Sequence, residues 1–87
     1  MYELAARYDS RKSFYGKARV QERNQFQFLF SYGEHVATVN TDRETVELFE
    51  AWDTSATTLR HVKEFLKQYG FKAESKAQIA RDYKEGK

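Results

Sequence analysis

Residues 26–32, FQFLFSY, determine the fold, because an aromatic side chain stands at every second position of this stretch. Alternate side chains of a β-strand reach opposite faces of a sheet, so this period of two predicts a strand with one aromatic face. We expect Phe28 and Phe30 on that face to belong to the core. The dipeptide Gly33-Glu34 predicts a tight connection to a second strand over residues 35–40, and so short a connection makes the pair antiparallel.

Further strands are predicted on both sides of this hairpin. Residues 13–23 mix apolar and basic residues in a way that suits a strand exposed on one face, and residues 24–25 predict a turn after it. Residues 45–52 alternate again and place Val46 and Trp52 on one side. The sequence therefore predicts three or four antiparallel strands.

The period changes after Trp52, where apolar residues recur at helical spacing. At about 100° per residue they fall within one arc of about 120°, which predicts an amphipathic main helix. Asp53, Thr54 or Ser55 can cap its start, and Gly70 suits the left-handed conformation in which helices often end. The residues that define its apolar face are Leu59, Val62, Phe65, Leu66 and Tyr69.

A short C-terminal helix is predicted to follow. Ser75 and Gln78 match the spacing of a capping box, in which the serine side chain accepts a hydrogen bond from the backbone N–H three residues later. The apolar face of this helix is thin and consists of Ile79, Ala80 and Tyr83. A helix with so little apolar surface is expected to dock weakly.

The complete prediction is an α+β fold in one domain over residues 1–87, the size of a single core. A three- or four-stranded antiparallel sheet is followed by a main helix packed on one of its faces and by a short C-terminal helix. The residues expected to be core residues are Phe28, Phe30, Trp52, Leu59, Val62 and Leu66.

The composition restricts the possible functions. The chain has no Cys, which excludes disulfides and thiolate metal sites and favours a cytoplasmic location. No apolar run approaches the ~20 residues that span a bilayer, so we expect no membrane association. The net charge of +2 conceals a division, because residues 24–58 carry one basic side chain against six acidic ones and both flanking segments are basic. Charge divided in this way can steer a partner.

The first candidate binding site lies in residues 8–15, YDSRKSFY, where basic side chains stand among aromatic ones. Arg11, Lys12 and Tyr15 are its candidate contact residues, because basic side chains hold a nucleic-acid backbone and aromatic rings stack on bases. The same segment also has a structural interpretation, in which the rings complete the core and the charges face water.

The second candidate site is one flank of the main helix. Arg60, Lys63 and Lys67 fall within an arc of about 60° beside the apolar face, and such a stripe suits phosphates or an acidic protein surface. The structural alternative is a solvated flank whose long stems cover the apolar margin.

Catalytic and cofactor motifs are absent from the sequence. His61 and Glu64 are expected to share the polar side of the main helix, but catalytic zinc needs three protein ligands and one such pair does not supply them. No serine stands in a nucleophile-elbow pattern with a recognisable base. The hydroxyl-rich residues 54–58 are better explained by helix capping than by phosphate binding. We therefore expect no enzyme activity, no cofactor and no metal.

Three segments carry a resemblance to a family. They are residues 8–18, YDSRKSFYGKA, then Ser31-Tyr32 with Val36-Ala37, and residues 57–68, TTLRHVKEFLKQ, continuing through Gly70-Phe71. From residue 8 to residue 83 the chain resembles the short uncharacterised proteins encoded by phages and mobile elements of Gram-positive bacteria. The resemblance implies a genomic setting and no catalytic residues. It also implies a binding role, because small phage proteins commonly bind a host or phage macromolecule.

Together these observations favour a small non-enzymatic binding module that docks on a protein partner such as a host factor. Its candidate faces are the acidic residues 34–53 and the aromatic and basic residues 8–23. The alternative is a nucleic-acid-binding accessory protein that uses the basic helix flank and the N-terminal loop. A continuous basic surface would favour nucleic acid, whereas scattered charge beside an exposed apolar patch would favour a protein partner.

Overall fold

The computed structural model describes residues 1–11 and 14–85 and has an α+β fold with a five-stranded antiparallel sheet. Each strand pairs with the next along the chain, so the sheet is a meander. The α+β class and the antiparallel sheet are confirmed, but the predicted count of three or four strands was too low. The strands are β1 (Tyr2–Glu3), β2 (Ala18–Arg23), β3 (Phe26–Ser31), β4 (Glu34–Asn40) and β5 (Thr45–Leu48).

Strand β1 is the one that the sequence did not predict. Its two residues are too few to show a period, and it is a strand because it pairs with β2, where Tyr2 lies opposite Val20. Strand β2 begins only at Ala18, so the predicted strand over residues 13–23 started too early. Lys12 and Ser13 lie outside the described residues.

The face assigned to β3 was wrong, although its alternation was right. Leu29 is buried and pairs with Val20 on one side and Ala37 on the other, both of which are buried too. Phe28 and Phe30, predicted core residues, are half-buried on the opposite face of the sheet. Alternation shows that a strand has two different faces, but it does not show which face a helix covers.

The outer face of the sheet carries a second, smaller aromatic cluster. The ring of His35 lies 5.3 Å from that of Phe30 and 4.3 Å from that of Phe49, measured between centroids. Phe26 and Phe28 stack at 6.2 Å on the same face. An aromatic row therefore remains on the side of the sheet opposite the main core.

The main helix, α1 (Ala56–Gln68), is capped by Ser55, one of the three candidates from the sequence, and ends before Gly70 as predicted. The Ser55 side chain accepts a hydrogen bond from the N–H of Thr58 at 3.1 Å. At the other end Gly70 has a φ of +85°, and the N–H of Phe71 donates to the carbonyl of Leu66 at 2.9 Å. This pair of features is the Schellman ending, in which glycine adopts the left-handed conformation that other residues disfavour.

Helix α1 packs its apolar side on the inner face of the sheet. Val62, Leu66 and Trp52 are buried as predicted, and Trp52 belongs to a short 3₁₀ helix, Glu50–Asp53, rather than to a strand. Leu59 is only half-buried at the margin of the core, so its assignment as a core residue was too strong.

The C-terminal helix, α2 (Lys76–Ile79), continues into a π-helical segment, Ala80–Glu85. The Ser75 cap is confirmed, because its side chain accepts the N–H of Gln78 at 3.1 Å. No helix among residues 1–11 and 14–85 is both long enough and apolar enough to span a membrane.

Paired alanine substitutions on β3 test which face is the core face. Leu29→Ala should lower the free energy of unfolding by about 2–5 kcal/mol, because it opens a cavity among buried side chains. Phe26→Ala should cost less than about 1 kcal/mol, because the ring is partly exposed to water. Urea unfolding followed by the fluorescence of Trp52 measures both changes. Equal losses would contradict the assignment.

Candidate functional site

The N-terminal segment is held against α1 by one buried carboxylate. Glu64 is only 1% exposed, and its Oε1 accepts hydrogen bonds from the backbone N–H groups of Tyr8 at 2.8 Å and Asp9 at 3.0 Å. The Gln68 amide donates to the other carboxylate oxygen and also to the carbonyl of Ala5 at 2.6 Å. Three donors thus compensate the burial of this charge.

This attachment places Asp9 beside Arg60, which comes 51 residues later. The Arg60 guanidinium grips the Asp9 carboxylate with two bonds, Nε to Oδ2 at 2.9 Å and Nη2 to Oδ1 at 3.2 Å. The hydrogen bond from Arg60 lowers the pKa of the Asp9 carboxyl below its usual value. The guanidinium carbon also lies 5.4 Å from the centre of the Phe14 ring, which is a cation–π contact.

Arg60 lies between two surface cavities. The first, which we name the helix-flank cavity, has a volume of about 250 Å³, and its lining includes Tyr8, Asp9, Arg60, Lys63, Glu64 and Lys67. The second, which we name the tyrosine cavity, has a volume of about 210 Å³, and its lining includes Arg11, Tyr15, Lys17, Tyr32, Arg60 and His61.

The predicted site residues are divided between these cavities. Arg60, Lys63 and Lys67 share the helix-flank cavity, where two carboxylates accompany them. Arg11 and Tyr15 line the tyrosine cavity together with Arg60. Lys12 lies outside the described residues.

Two Tyr-Gly turns form one end of the tyrosine cavity, and the sequence analysis did not single them out. Tyr15 and Gly16 have φ values of +53° and +73°, and Tyr32 and Gly33 have +53° and +82°. The N–H of Tyr32 donates to the carbonyl of Lys17 at 2.8 Å, which joins the two turns. The repeated Tyr-Gly dipeptide was the available signal, although its third occurrence, Tyr69-Gly70, ends α1 instead.

His61 forms the inner wall of the tyrosine cavity. It is 0% exposed, and its Nδ1 lies 2.8 Å from the hydroxyl oxygen of Ser31. The ring of Phe14 meets it edge-on at 4.6 Å between centroids. Burial, with a smaller effect from the positive charge of Arg60, lowers its pKa to about 4, although Asp9 opposes the shift. The ring is therefore neutral at pH 7.

His61 and Glu64, the pair that the sequence places on the polar side of the main helix, are not exposed to solvent. Both are buried, because the N-terminal segment and the Ser31 end of β3 cover that side. Among the residues that the structure describes, no three His, Cys, Asp or Glu side chains group closely enough to hold a metal ion.

The chain belongs to a family of unknown function, DUF8033, whose model matches residues 2–81. Membership of an uncharacterised family is thereby confirmed. No curated protein and no solved structure matches the chain.

The lowered pKa of His61 predicts a pH-dependent stability. Its unfolded pKa is near 6.5 and its folded pKa about 4, so the unfolded chain binds the extra proton first as the pH falls. Stability should be full above about pH 6.5 and decline toward pH 4, by roughly 3 kcal/mol over the whole window.

Urea unfolding at a series of pH values measures this decline. His61→Gln should flatten the curve between about pH 6.5 and 4. A separate loss should persist in that variant as the pH falls from about 3.8 toward the lowered pKa of folded Asp9, because the unfolded chain protonates this carboxyl first. An unchanged slope in His61→Gln would show that another group causes the decline.

Proposed function

We propose that this member of DUF8033 is a small non-enzymatic binding module that docks on a protein partner through the tyrosine cavity and its rim. The observation that carries the proposal is the exposure of two tyrosines there, since Tyr15 is 83% and Tyr32 57% exposed. Tyrosine and arginine are enriched where protein interfaces derive most of their affinity. Arg11 and Arg60 line the same cavity.

The backbone conformation of the two tyrosines supports this proposal. A residue with a side chain is disfavoured at positive φ, and the local strain is of order 1 kcal/mol or more. Glycine or asparagine would suit positions 15 and 32 better if only the turn mattered. Tyrosine at both positions therefore points to a use for the exposed rings.

A neighbouring cavity extends this surface. It has a volume of about 530 Å³ and shares Lys17 and Tyr32 with the tyrosine cavity. Arg19 and the half-buried Phe30 line its far side, so the surface continues onto the aromatic outer face of the sheet. Basic charge beside exposed apolar rings fits a protein partner better than a uniform basic track would.

The charge of the surface indicates the chemistry of the partner. Arg11, Lys17 and Arg60 line the tyrosine cavity, and its described lining includes no carboxylate. Complementary charge gives specificity and faster association. We therefore propose that the partner presents an acidic segment.

The non-enzymatic part of the proposal rests on accessibility. Ser31 and His61 have the contact expected of a nucleophile and its base, but Ser31 is only 2% exposed and its oxygen also lies 3.1 Å from that of Thr58. A buried hydroxyl of this kind serves packing and hydrogen bonding. The cytoplasmic location and the origin in phages or mobile elements also belong to this proposal. The absence of Cys supports the cytoplasmic location, and the family resemblance supports the origin.

Selection from a random peptide library displayed on phage tests the proposal. Selected peptides should be rich in Asp and Glu, and should lose at least ten-fold in affinity to the double variant Arg11→Gln/Tyr32→Asn. Asparagine tolerates positive φ, so the turn should survive. Arg23→Gln, at the opposite end of β2, is the matched control and should bind normally. Selected peptides without acidic residues, or equal affinity for all three proteins, would contradict the proposal.

Nucleic-acid binding through the helix-flank cavity is the second candidate. The helix-flank cavity is lined by Lys63, Lys67 and the exposed Tyr8. The two lysines could bind phosphates of a nucleic-acid strand, and the tyrosine ring could stack on a base. However, Asp9 already engages Arg60, and Glu64 adds a second carboxylate. Both carboxylates repel phosphates, so this candidate ranks below the first.

Fluorescence anisotropy with labelled oligonucleotides tests the second candidate. We expect no binding tighter than about 10 μM to random DNA or RNA at about 150 mM salt, weaker than specific complexes. Three phosphate contacts would instead give a log–log salt slope of about −2.7 on duplex and −2.1 on single strands. A sub-micromolar signal with such a slope that is abolished by Lys63→Glu, while Lys76→Glu leaves it intact, would make nucleic acid the better assignment.

A further inference from the structure

We infer that the tyrosine cavity binds a carboxylate of the partner, which accepts a hydrogen bond from the Nε2–H group of His61 and is held by the charges of Arg11 and Lys17. The inference rests on the proposed function and names the chemical group that the site recognises. It depends on three observations: a chain of hydrogen bonds, an unpartnered nitrogen and the charge of the cavity.

A chain of hydrogen bonds can hold His61 in the Nε2–H tautomer that the inference requires. The Ser55 hydroxyl donates to Thr58 Oγ1 at 3.2 Å, which leaves the Thr58 hydroxyl free to donate to Ser31 Oγ at 3.1 Å. The Ser31 hydroxyl can then donate to Nδ1 of His61 at 2.8 Å. A neutral imidazole whose Nδ1 accepts carries its hydrogen on Nε2.

This Nε2–H group has no hydrogen-bond partner within the described part of the chain. A buried donor that lacks an acceptor is destabilising, so an acceptor supplied by a ligand would be bound more strongly than one on an open surface. His35, the other histidine, differs in this respect, because its Nε2 lies 2.7 Å from the Thr38 hydroxyl.

The surrounding charge selects an anion rather than a neutral acceptor. Arg11 and Lys17 line the cavity, while Asp9 compensates much of the charge of Arg60 and also interacts with the charge of Arg11. Because the Arg60 fork already holds that carboxylate, it is not available for the bidentate grip that typically recognises phosphate. The cavity has a volume of about 210 Å³ and offers the Nε2–H group of His61 with Arg11 and Lys17 beside it. This combination fits a single carboxylate.

Access to Nε2 requires a neighbouring ring to move, and Tyr32 is the exposed ring that contacts His61. His61 is fully buried, and the exposed ring of Tyr32 lies 5.8 Å from it between centroids. Side-chain rotations of this size are common when an interface forms. In this inference the partner displaces the Tyr32 ring and places its carboxylate beside His61.

Nuclear magnetic resonance of the full chain with ¹⁵N-labelled histidine tests the inference. At pH 7 the long-range proton–nitrogen pattern should identify His61 as the Nε2–H tautomer. Sodium acetate should then shift the Nε2 resonance of His61 in a saturable way, whereas His35 in the same spectrum should stay in place. Arg11→Gln should weaken acetate binding at least three-fold, and Arg23→Gln should leave it unchanged.

Three outcomes would overturn the inference, and a fourth would overturn only the proposed function. An Nδ1–H tautomer would remove the donor, and inorganic phosphate that binds at least ten-fold more tightly than acetate would replace the carboxylate with a phosphorylated group. Acidic peptides from the library that bind and shift the Tyr32 resonances but not those of His61 would refute the carboxylate pocket and leave the proposed function standing. A saturable acetate shift at His61 without any peptide binding would uphold the pocket and refute the docking role.

Discussion

The candidate site depends on the hydrogen bonds that the buried carboxylate of Glu64 accepts. Burial of a carboxylate is unfavourable unless donors surround it, and here the N–H groups of Tyr8 and Asp9 and the Gln68 amide supply them. The N-terminal segment benefits as well, because it has no regular structure there and its backbone N–H groups need acceptors. The position of Asp9, and with it the orientation of Arg60, follows from this attachment.

The local parts of the fold could be predicted from the sequence. The cap and the Gly70 ending of α1 depend on residues adjacent in the chain; Ser55 was one of three candidates for the cap, and Gly70 was identified correctly. The inner face of β3 could not be predicted in this way, because it depends on where α1 packs. The aromatic residues led to the wrong choice of core face. The face of β3 that carries Leu29 lies against the helix, and the face that carries the phenylalanines points outward.

The site was predictable in composition but not in arrangement. Basic residues in the N-terminal loop and on the helix flank were identified from sequence, and Arg11 and Arg60 do line one cavity. The pairing of Asp9 with Arg60 spans 51 residues, so nothing in local spacing could show that a carboxylate would occupy one of the expected phosphate contacts. The burial of His61 was missed for the same reason, because it is created by Ser31 and Phe14 from distant parts of the chain.

The distribution of unfavourable features argues for a functional end of the molecule. Two tyrosines at positive φ, an unpartnered imidazole nitrogen and several basic side chains occur around one cavity, whereas Glu44 at positive φ and the unpartnered Gln27 Oε1 lie elsewhere. Local rules that fail together in one place are typical of a binding site, because stability alone would remove each of them by a single substitution. The outer face of the sheet shows the contrast, since its aromatic cluster includes a histidine whose Nε2 is satisfied by Thr38. Part of the energetic cost therefore lies around the tyrosine cavity, and a ligand that supplies an acceptor there would relieve some of it.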